Sequence, residues 1–169
     1  MKDDFSLEFT SVSIYQRINL LHDNLFKEVL INSFEYLSAQ QKIKVYGFVI
    51  MPNHFHVLWQ LNSNYSRLSS QGAFFRHCSR QFLHYLEKDR RLQMFKVLKH
   101  DRQHQFWEKA YTKICFTRSY TLQKLAYIHN NPCQPHWQLA DAAYLYPWSS
   151  ASFYELGDKK YHWLVHIDE

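Results

Sequence analysis

Glycine and proline are scarce, at 3 and 4 in 169 residues, so long flexible linkers and repeated tight turns are unexpected. Cysteine is also sparse. Cys78, Cys115 and Cys133 are odd in number and widely separated, which argues against a disulfide framework and against a structural zinc knuckle. They read as reduced, mostly packed thiols. No uninterrupted apolar run approaches the length needed to cross a bilayer, and "MKDDFSLEFTSV" lacks the apolar core of a signal peptide. A soluble cytoplasmic protein without a membrane partner is the expectation.

What the chain does hold is apolar and aromatic mass, 46% and 18% of its residues, enough to bury one sizeable core. Its length suggests a single domain over residues 1–169. The net charge of +5 is concentrated: residues 76–102 contain eight basic and three acidic residues, while the remainder is balanced at twelve of each. A clustered positive field attracts polyanions, because neutralised phosphates release counterions. A solvated charged helix followed by a loop would give the same composition.

"LEFTSVSIYQR" is β-branched and aromatic enough for a strand over residues 7–17. "DNLFKEVLINSFEYLSAQ" reads as an amphipathic helix, with Asp23 or Asn24 as N-cap and Phe26, Val29, Leu30, Ser33, Phe34 and Leu37 at helical spacing. "KIKVYGFVIM" and "HFHVLWQL" follow as two strands around the Pro52-Asn53 turn signal. Residues 66–88 are helical by pattern, with Leu68, Phe75, Cys78, Phe82 and Tyr85 on an apolar face. Arg76, Arg80, His84 and Lys88 recur at four-residue intervals on another face, and with Arg90 and Arg91 they form a candidate rail for DNA phosphates. Residues 89–105 lack clean periodicity and read as a loop or short helix. "EKAYTKICFT" reads as a strand, and "SYTLQKLAYIHN" as a helix stopped by Pro132. This order predicts an α+β fold of the split βαβ type, with two helices on one face of an antiparallel sheet.

Two motifs carry chemistry. In "MPNHFH" the strand alternation projects His54 and His56 from one face and Phe55 from the other. Spacing alone allows a shared metal ion or two ordinary histidines on a wet sheet face. In "YIHNNP", Tyr127 and Asn131 are four apart and share a helix face, while His129 points elsewhere. Asn131 before Pro132 is equally good as a helix stop. If the Tyr127 face docks on the histidine strand, two imidazoles and an amide oxygen could hold Mg²⁺ or Mn²⁺, although two histidines would also bind zinc. A tyrosine is a weak nucleophile near neutral pH, and a cation polarising a phosphodiester would compensate for that. Attack by Tyr127 would then leave a phosphotyrosyl enzyme. Glu108 could orient a ligand, and Trp59, Phe106, Trp107 and Trp137 are candidate base-stacking platforms.

"YGFVIMPNHFHVLWQL", "FWEKAYTK", "LAYIHNNP" and "YPWSSASFYELG", in this order, resemble the HUH single-strand transposases with one catalytic tyrosine, most closely the REP-associated tyrosine transposases. The likeness runs over residues 7–157. It implies a ferredoxin-like or RRM-like sheet with helices packed on it and a C-terminal catalytic-tyrosine helix. It further implies His54 and His56 as metal ligands, Asn131 as the third ligand position and Tyr127 as nucleophile. The implied activity is Mg²⁺- or Mn²⁺-dependent cleavage and joining of single-stranded DNA near hairpins, through a 5′-phosphotyrosine link. Insertion-sequence relatives commonly carry Gln at the position of Asn131, so the shorter arm requires the helix to approach the sheet more closely. Tyr120 is a rival nucleophile. Rival functions are a nucleic-acid-binding module that has lost catalysis and a small zinc hydrolase; monomer and homodimer both stay open.

Overall fold

The computed structural model describes residues 7–62, 64 and 67–169, with the backbone alone at 67–69. The expected helix start at Ser66 and the apolar contribution of Leu68 therefore lie outside the described residues.

Strand β1 (Leu7–Ser13) leads through short 3-10 turns into α1 (Asn24–Ala39), followed by β2 (Ile43–Ile50), β3 (His54–Leu61) and α2 (Arg67–Leu86). A small hairpin, β4 (Lys96–Lys99) and β5 (Arg102–His104), precedes β6 (Tyr111–Ile114), α3 (Arg118–Asn130) and the short α4 (Ala151–Leu156). The main sheet has the order β2-β3-β1-β6 with every neighbouring pair antiparallel. This is the α+β, ferredoxin-like arrangement the element order implied: β1-α1-β2 and β3-α2-β6 are two split units with one strand of each interleaved.

The pleat divides β3 between two cores. Phe55, Val57, Trp59 and Leu61 face α1 and α2, whereas Leu58 joins Leu125 and Ile128 of α3 on the opposite side. Phe34 of α1 is the hub of the first core, with the rings of Phe48, Phe55, Trp59, Phe74 and Trp163 centred 4.8–6.2 Å away. Removing such a ring leaves a cavity costing about 3–5 kcal/mol. Asp23 caps α1 by accepting from Leu25 N at 3.0 Å, and all six expected apolar-face residues of α1 are buried.

Four sequence expectations need correction. The first strand stops at Ser13 because the chain turns at Gln16 and Arg17, both with positive φ. In α2 the buried ridge is Phe74, Cys78, Phe82 and Leu86 at strict four-residue spacing; Phe75 is only partly buried and Tyr85 is exposed on the rim. Residues 89–105 form a 3-10 turn and the β4–β5 hairpin, whose three- and four-residue strands are too short and too charged to show alternation. Trp59 and Phe106 are buried, with Trp59 Nε1 donating to Thr10 Oγ1 at 3.1 Å, so neither offers a face to a base.

Strand β2 contains a bulge at Tyr46: Val45 pairs with Trp59 and Gly47 with Leu58. The extra residue lets Val45 and Phe48, three apart, both enter the α1 core, and it turns Gly47, Val49 and Met51 toward α3.

Candidate active site

The site lies on the α3 side of the sheet, at the end where β3 begins. His54 and His56 project together, their ring centroids 4.8 Å apart. His54 donates Nδ1–H to Asn53 Oδ1 at 2.8 Å, a tautomer that leaves the Nε2 lone pair free. His56 stacks on Phe9, and both its ring nitrogens are buried without a hydrogen-bond partner. Leaving a buried polar group unsatisfied costs about 1–3 kcal/mol. Burial, Arg17 and His136 hold the His54 imidazole down to about 4; burial, His54 and Lys124 hold His56 down to about 3. Both rings are therefore neutral at physiological pH, the form that donates to a metal.

Helix α3 delivers the second half. Thr117 caps it by accepting from Tyr120 N at 3.2 Å. Its buried stripe is Thr121, Leu125, Ile128 and His129. Gly47 on β2 makes room for it: a Cβ there would lie 2.5 Å from Leu125 Cδ1. His129 is the bolt, its Nε2 2.8 Å from Ser150 Oγ, which in turn accepts from Phe48 N at 2.9 Å. Residues 148–150 reach that position by bonding along β2, with Ile50 N donating to Trp148 O and Val49 bridging Ser149.

So anchored, α3 sets the half-exposed Tyr127 ring edge-on against His56 at a centroid distance of 5.2 Å, and against Phe9 at 6.1 Å. Asn131 is buried at the C-cap, one turn beyond Tyr127 on the same face. Lys124 completes that stripe. Its Nζ is 4.6 Å from the Phe9 ring, 5.2 Å from Tyr120 and 5.7 Å from Tyr127. Among the described residues no ring contact joins Tyr120 to either histidine, which separates it from Tyr127. Trp137 lies 5.6 Å from His54, the one suggested stacking ring that borders the site.

The structure thus brings together His54, His56 and Tyr127, with Asn131 on the Tyr127 face of α3. Among the described residues no group of three His, Cys, Asp or Glu side chains could hold a metal ion. A third protein donor would therefore have to be of another kind, and an amide oxygen is the kind α3 carries. Paired neutral imidazoles, one of them with both nitrogens unsatisfied, fit a divalent cation. Cys78 does not enter: it is buried in the core on the other side of the sheet, with its thiol pushed up to about 12. Glu108 accepts from Gln16 N at 2.8 Å instead of orienting a ligand.

The basic set is dispersed. Arg76, Arg80, His84, Lys88 and Arg90 are exposed, but Arg91 is engaged, 2.7 Å from Asp89 and 3.1 Å from Asp23, with its guanidinium over Phe26. Sequence reasoning missed Lys124, Ser150 and Gly47. The spacing 120, 124, 127, 131 held a signal for Lys124; nothing local marks the other two.

No described helix is long and apolar enough to cross a membrane. No curated protein matches the chain. A solved REP-associated tyrosine transposase bound to a REP hairpin is similar in fold, with a TM-score of 0.62 at 16% identity over 89% of this chain and 81% of that one. A putative transposase from Deinococcus radiodurans gives 0.50 at 14% identity over 77% and 94%. The family described as "Transposase IS200 like" matches residues 5–131, three quarters of the sequence, a span that includes His54, His56, Tyr127 and Asn131, and the chain belongs to that family.

Proposed function

We propose that the protein is a metal-dependent endonuclease and strand transferase of single-stranded, hairpin-containing DNA, of the REP-associated tyrosine type. The observation that carries this reading is the packing of the Tyr127 ring on His56. A hydrolytic nuclease has no use for a phenol there, whereas a transferase needs one beside its phosphate-activating group.

In this reading His54, His56 and Asn131 would hold Mg²⁺ or Mn²⁺, which when bound polarises the scissile phosphate and stabilises charge that develops on it. Tyr127 Oη attacks the phosphorus. The Oη–phosphorus bond forms as the bond to the 3′ oxygen breaks; the phenol loses its proton to solvent and the departing 3′ oxygen takes one up. The 5′ end is left as a phosphotyrosine, and attack by another 3′-hydroxyl reverses the step and joins strands. Lys124 adds positive charge beside the nucleophile, complementary to the phosphoryl oxygens. Arg76, Arg80, His84, Lys88 and Arg90 supply cations for the DNA backbone. Arg91, engaged by two carboxylates, contributes less than its neighbours.

The test is a labelled oligonucleotide with a hairpin and a single-stranded flank, incubated with the protein and Mn²⁺ and resolved on a denaturing gel. A covalent adduct that disappears in Tyr127→Phe is the expected result. An adduct that survives Tyr127→Phe overturns the nucleophile; binding without any adduct makes the protein a nucleic-acid-binding module of the same fold.

A further inference from the structure

The turn that ends β1 brings a second cation to the histidine site. Gln16 and Arg17 follow one another in the left-handed region, with φ of 51° and 55°. Residues with a Cβ rarely adopt that conformation, and two in succession are rarer still. Such strain persists only where the surrounding structure over-determines it. Here Gln16 N donates to Glu108 Oε1 at 2.8 Å and Arg17 N to Ile14 O at 2.9 Å. Just before them, Ile14 N donates to Asn53 O and Tyr15 N to Phe106 O, both at 2.8 Å.

What the strained turn fixes is the place of Arg17. Asn53, which holds Ile14, also accepts from His54 Nδ1, and Ser13 pairs with His54, so the turn stands at the start of β3. The Arg17 charge opposes protonation of His54, second only to burial, and Lys124 acts in the same sense on His56. The two cations therefore mark opposite ends of the histidine pair. Arg17 is exposed, and among the described residues no ion pair engages its guanidinium. Glu108, the carboxylate that reaches the turn, is taken by the Gln16 amide.

A free guanidinium beside a metal site is repelled by the ion unless an anion lies between them. A DNA phosphate is such an anion, and the planar fork of arginine matches two of its oxygens. The chemistry gives the strand a direction. Displacement at phosphorus keeps the attacking and leaving oxygens in line. Tyr127 sits against His56 with Lys124 beside it, so the departing 3′ oxygen lies toward the His54 end, where Arg17 stands.

We infer that Arg17 clamps the departing strand: its guanidinium holds the phosphate next to the scissile one on the side of the 3′ oxygen, and so retains the freed 3′-hydroxyl for rejoining. Which strand departs rests on the strand-transferase reading; the contact between Arg17 and a phosphate of unpaired DNA does not. No bond to Arg17 forms or breaks. The electron pair of the broken bond stays on the 3′ oxygen, which takes its proton from solvent.

The contact is tested by fluorescence anisotropy in excess EDTA, between 50 and 300 mM NaCl, with a hairpin oligonucleotide that carries a single-stranded flank. Arg17→Ala is expected to lower the slope of log K against log salt by about 0.7, the value for one phosphate contact on a single strand, and affinity about fivefold at 0.1 M salt. Lys44→Ala removes an exposed cation at the other end of the sheet, where Lys44 pairs with Gln60, and is expected to change neither. Arg17→Gly separates the clamp from the turn. Glycine tolerates the left-handed backbone, so this variant should lose the same slope without unfolding at a lower temperature. An unchanged slope in either Arg17 variant, or an equal loss in Lys44→Ala, overturns the clamp.

The strand is tested with Mn²⁺ in single-turnover adduct formation. A neutral methylphosphonate in place of the clamped phosphate should slow wild type to the rate of Arg17→Ala on the natural strand, with no further loss when the two are combined. Additive losses, or a methylphosphonate on the phosphotyrosine side that reproduces the effect instead, overturn the assignment to the departing strand. If wild type forms no adduct while Arg17→Ala still loses its slope, the strand-transferase reading fails and the phosphate contact stands.

Discussion

His129 Nε2 lies 2.8 Å from the Ser150 hydroxyl, and that hydroxyl also accepts the Phe48 amide, so one buried oxygen ties the tyrosine helix to strand β2. Ser150→Ala strands both partners in a buried site. The expected loss is about 1–3 kcal/mol in urea denaturation, together with slower adduct formation, because α3 holds Tyr127 in place. Unchanged kinetics with lowered stability would show that Tyr127 does not depend on the bolt.

Gly47 sets how closely α3 approaches the sheet. A Cβ 2.5 Å from Leu125 Cδ1 requires the leucine or the helix to move. Gly47→Val should cost about 1–3 kcal/mol by overpacking. It should slow adduct formation on the order of 100-fold, the scale on which a displacement of about 1 Å is felt at a reacting centre. The short amide arm of Asn131 makes that approach more consequential than a Gln would.

Lys124→Ala should slow single-turnover adduct formation on the order of 100-fold, as losing one preorganised contact to developing charge does. Its cation–π contacts are worth only about 0.5–1 kcal/mol, so stability should change little. Because Lys124 also opposes positive charge on His56, its removal should tighten Mn²⁺ binding, read by calorimetry. Lys124→Arg should recover most of the rate. Equal loss in both variants would point to packing alone.

Burial lowers His54 to about 4, His56 to about 3 and His129 to about 4, with neighbouring cations adding to the first two. An unfolded histidine titrates near 6.5. Below that pH the unfolded chain binds protons that the folded chain refuses, so stability is full above about pH 6.5 and declines as pH falls toward the folded values. The expected loss is on the order of 1–3 kcal/mol per histidine by pH 4.5. Urea midpoints from pH 7 to 4.5 should fall less steeply in His129→Ala than in the parent. An identical slope would mean that His129 titrates normally.

Metal addition gives a further check. Saturating Mn²⁺ should raise the unfolding midpoint by mass action, about 2.7 kcal/mol at one hundred times Kd. His56→Ala should abolish the shift. Because both rings are already neutral, the shift should hardly vary between pH 6 and 8.

Much of this was legible in the sequence because it is periodic or punctuated. The α1 face, the Pro52-Asn53 hairpin, the two histidines on one side of β3 and the Tyr127–Asn131 spacing follow from helix and strand geometry over a few residues. On α2 the middle of the buried ridge, Cys78 and Phe82, was legible, but Phe75 and Tyr85 were chosen over their neighbours Phe74 and Leu86, since adjacent residues of similar apolarity are told apart only by docking. The β4–β5 hairpin was invisible: its strands are short, charged and supported by little core.

The chain's own order therefore determined which elements form and which side chains share a face, since backbone periodicity is local. Tertiary structure alone decided that α3 lies on the histidine face, that Gly47 and Ser150 hold it there, and that the Gln16–Arg17 turn is pinned beside His54. Those outcomes depend on contacts between residues about 80 to 100 positions apart, such as Gly47 with Leu125 and Phe48 with Ser150. Only the sheet's pairing brings them within reach.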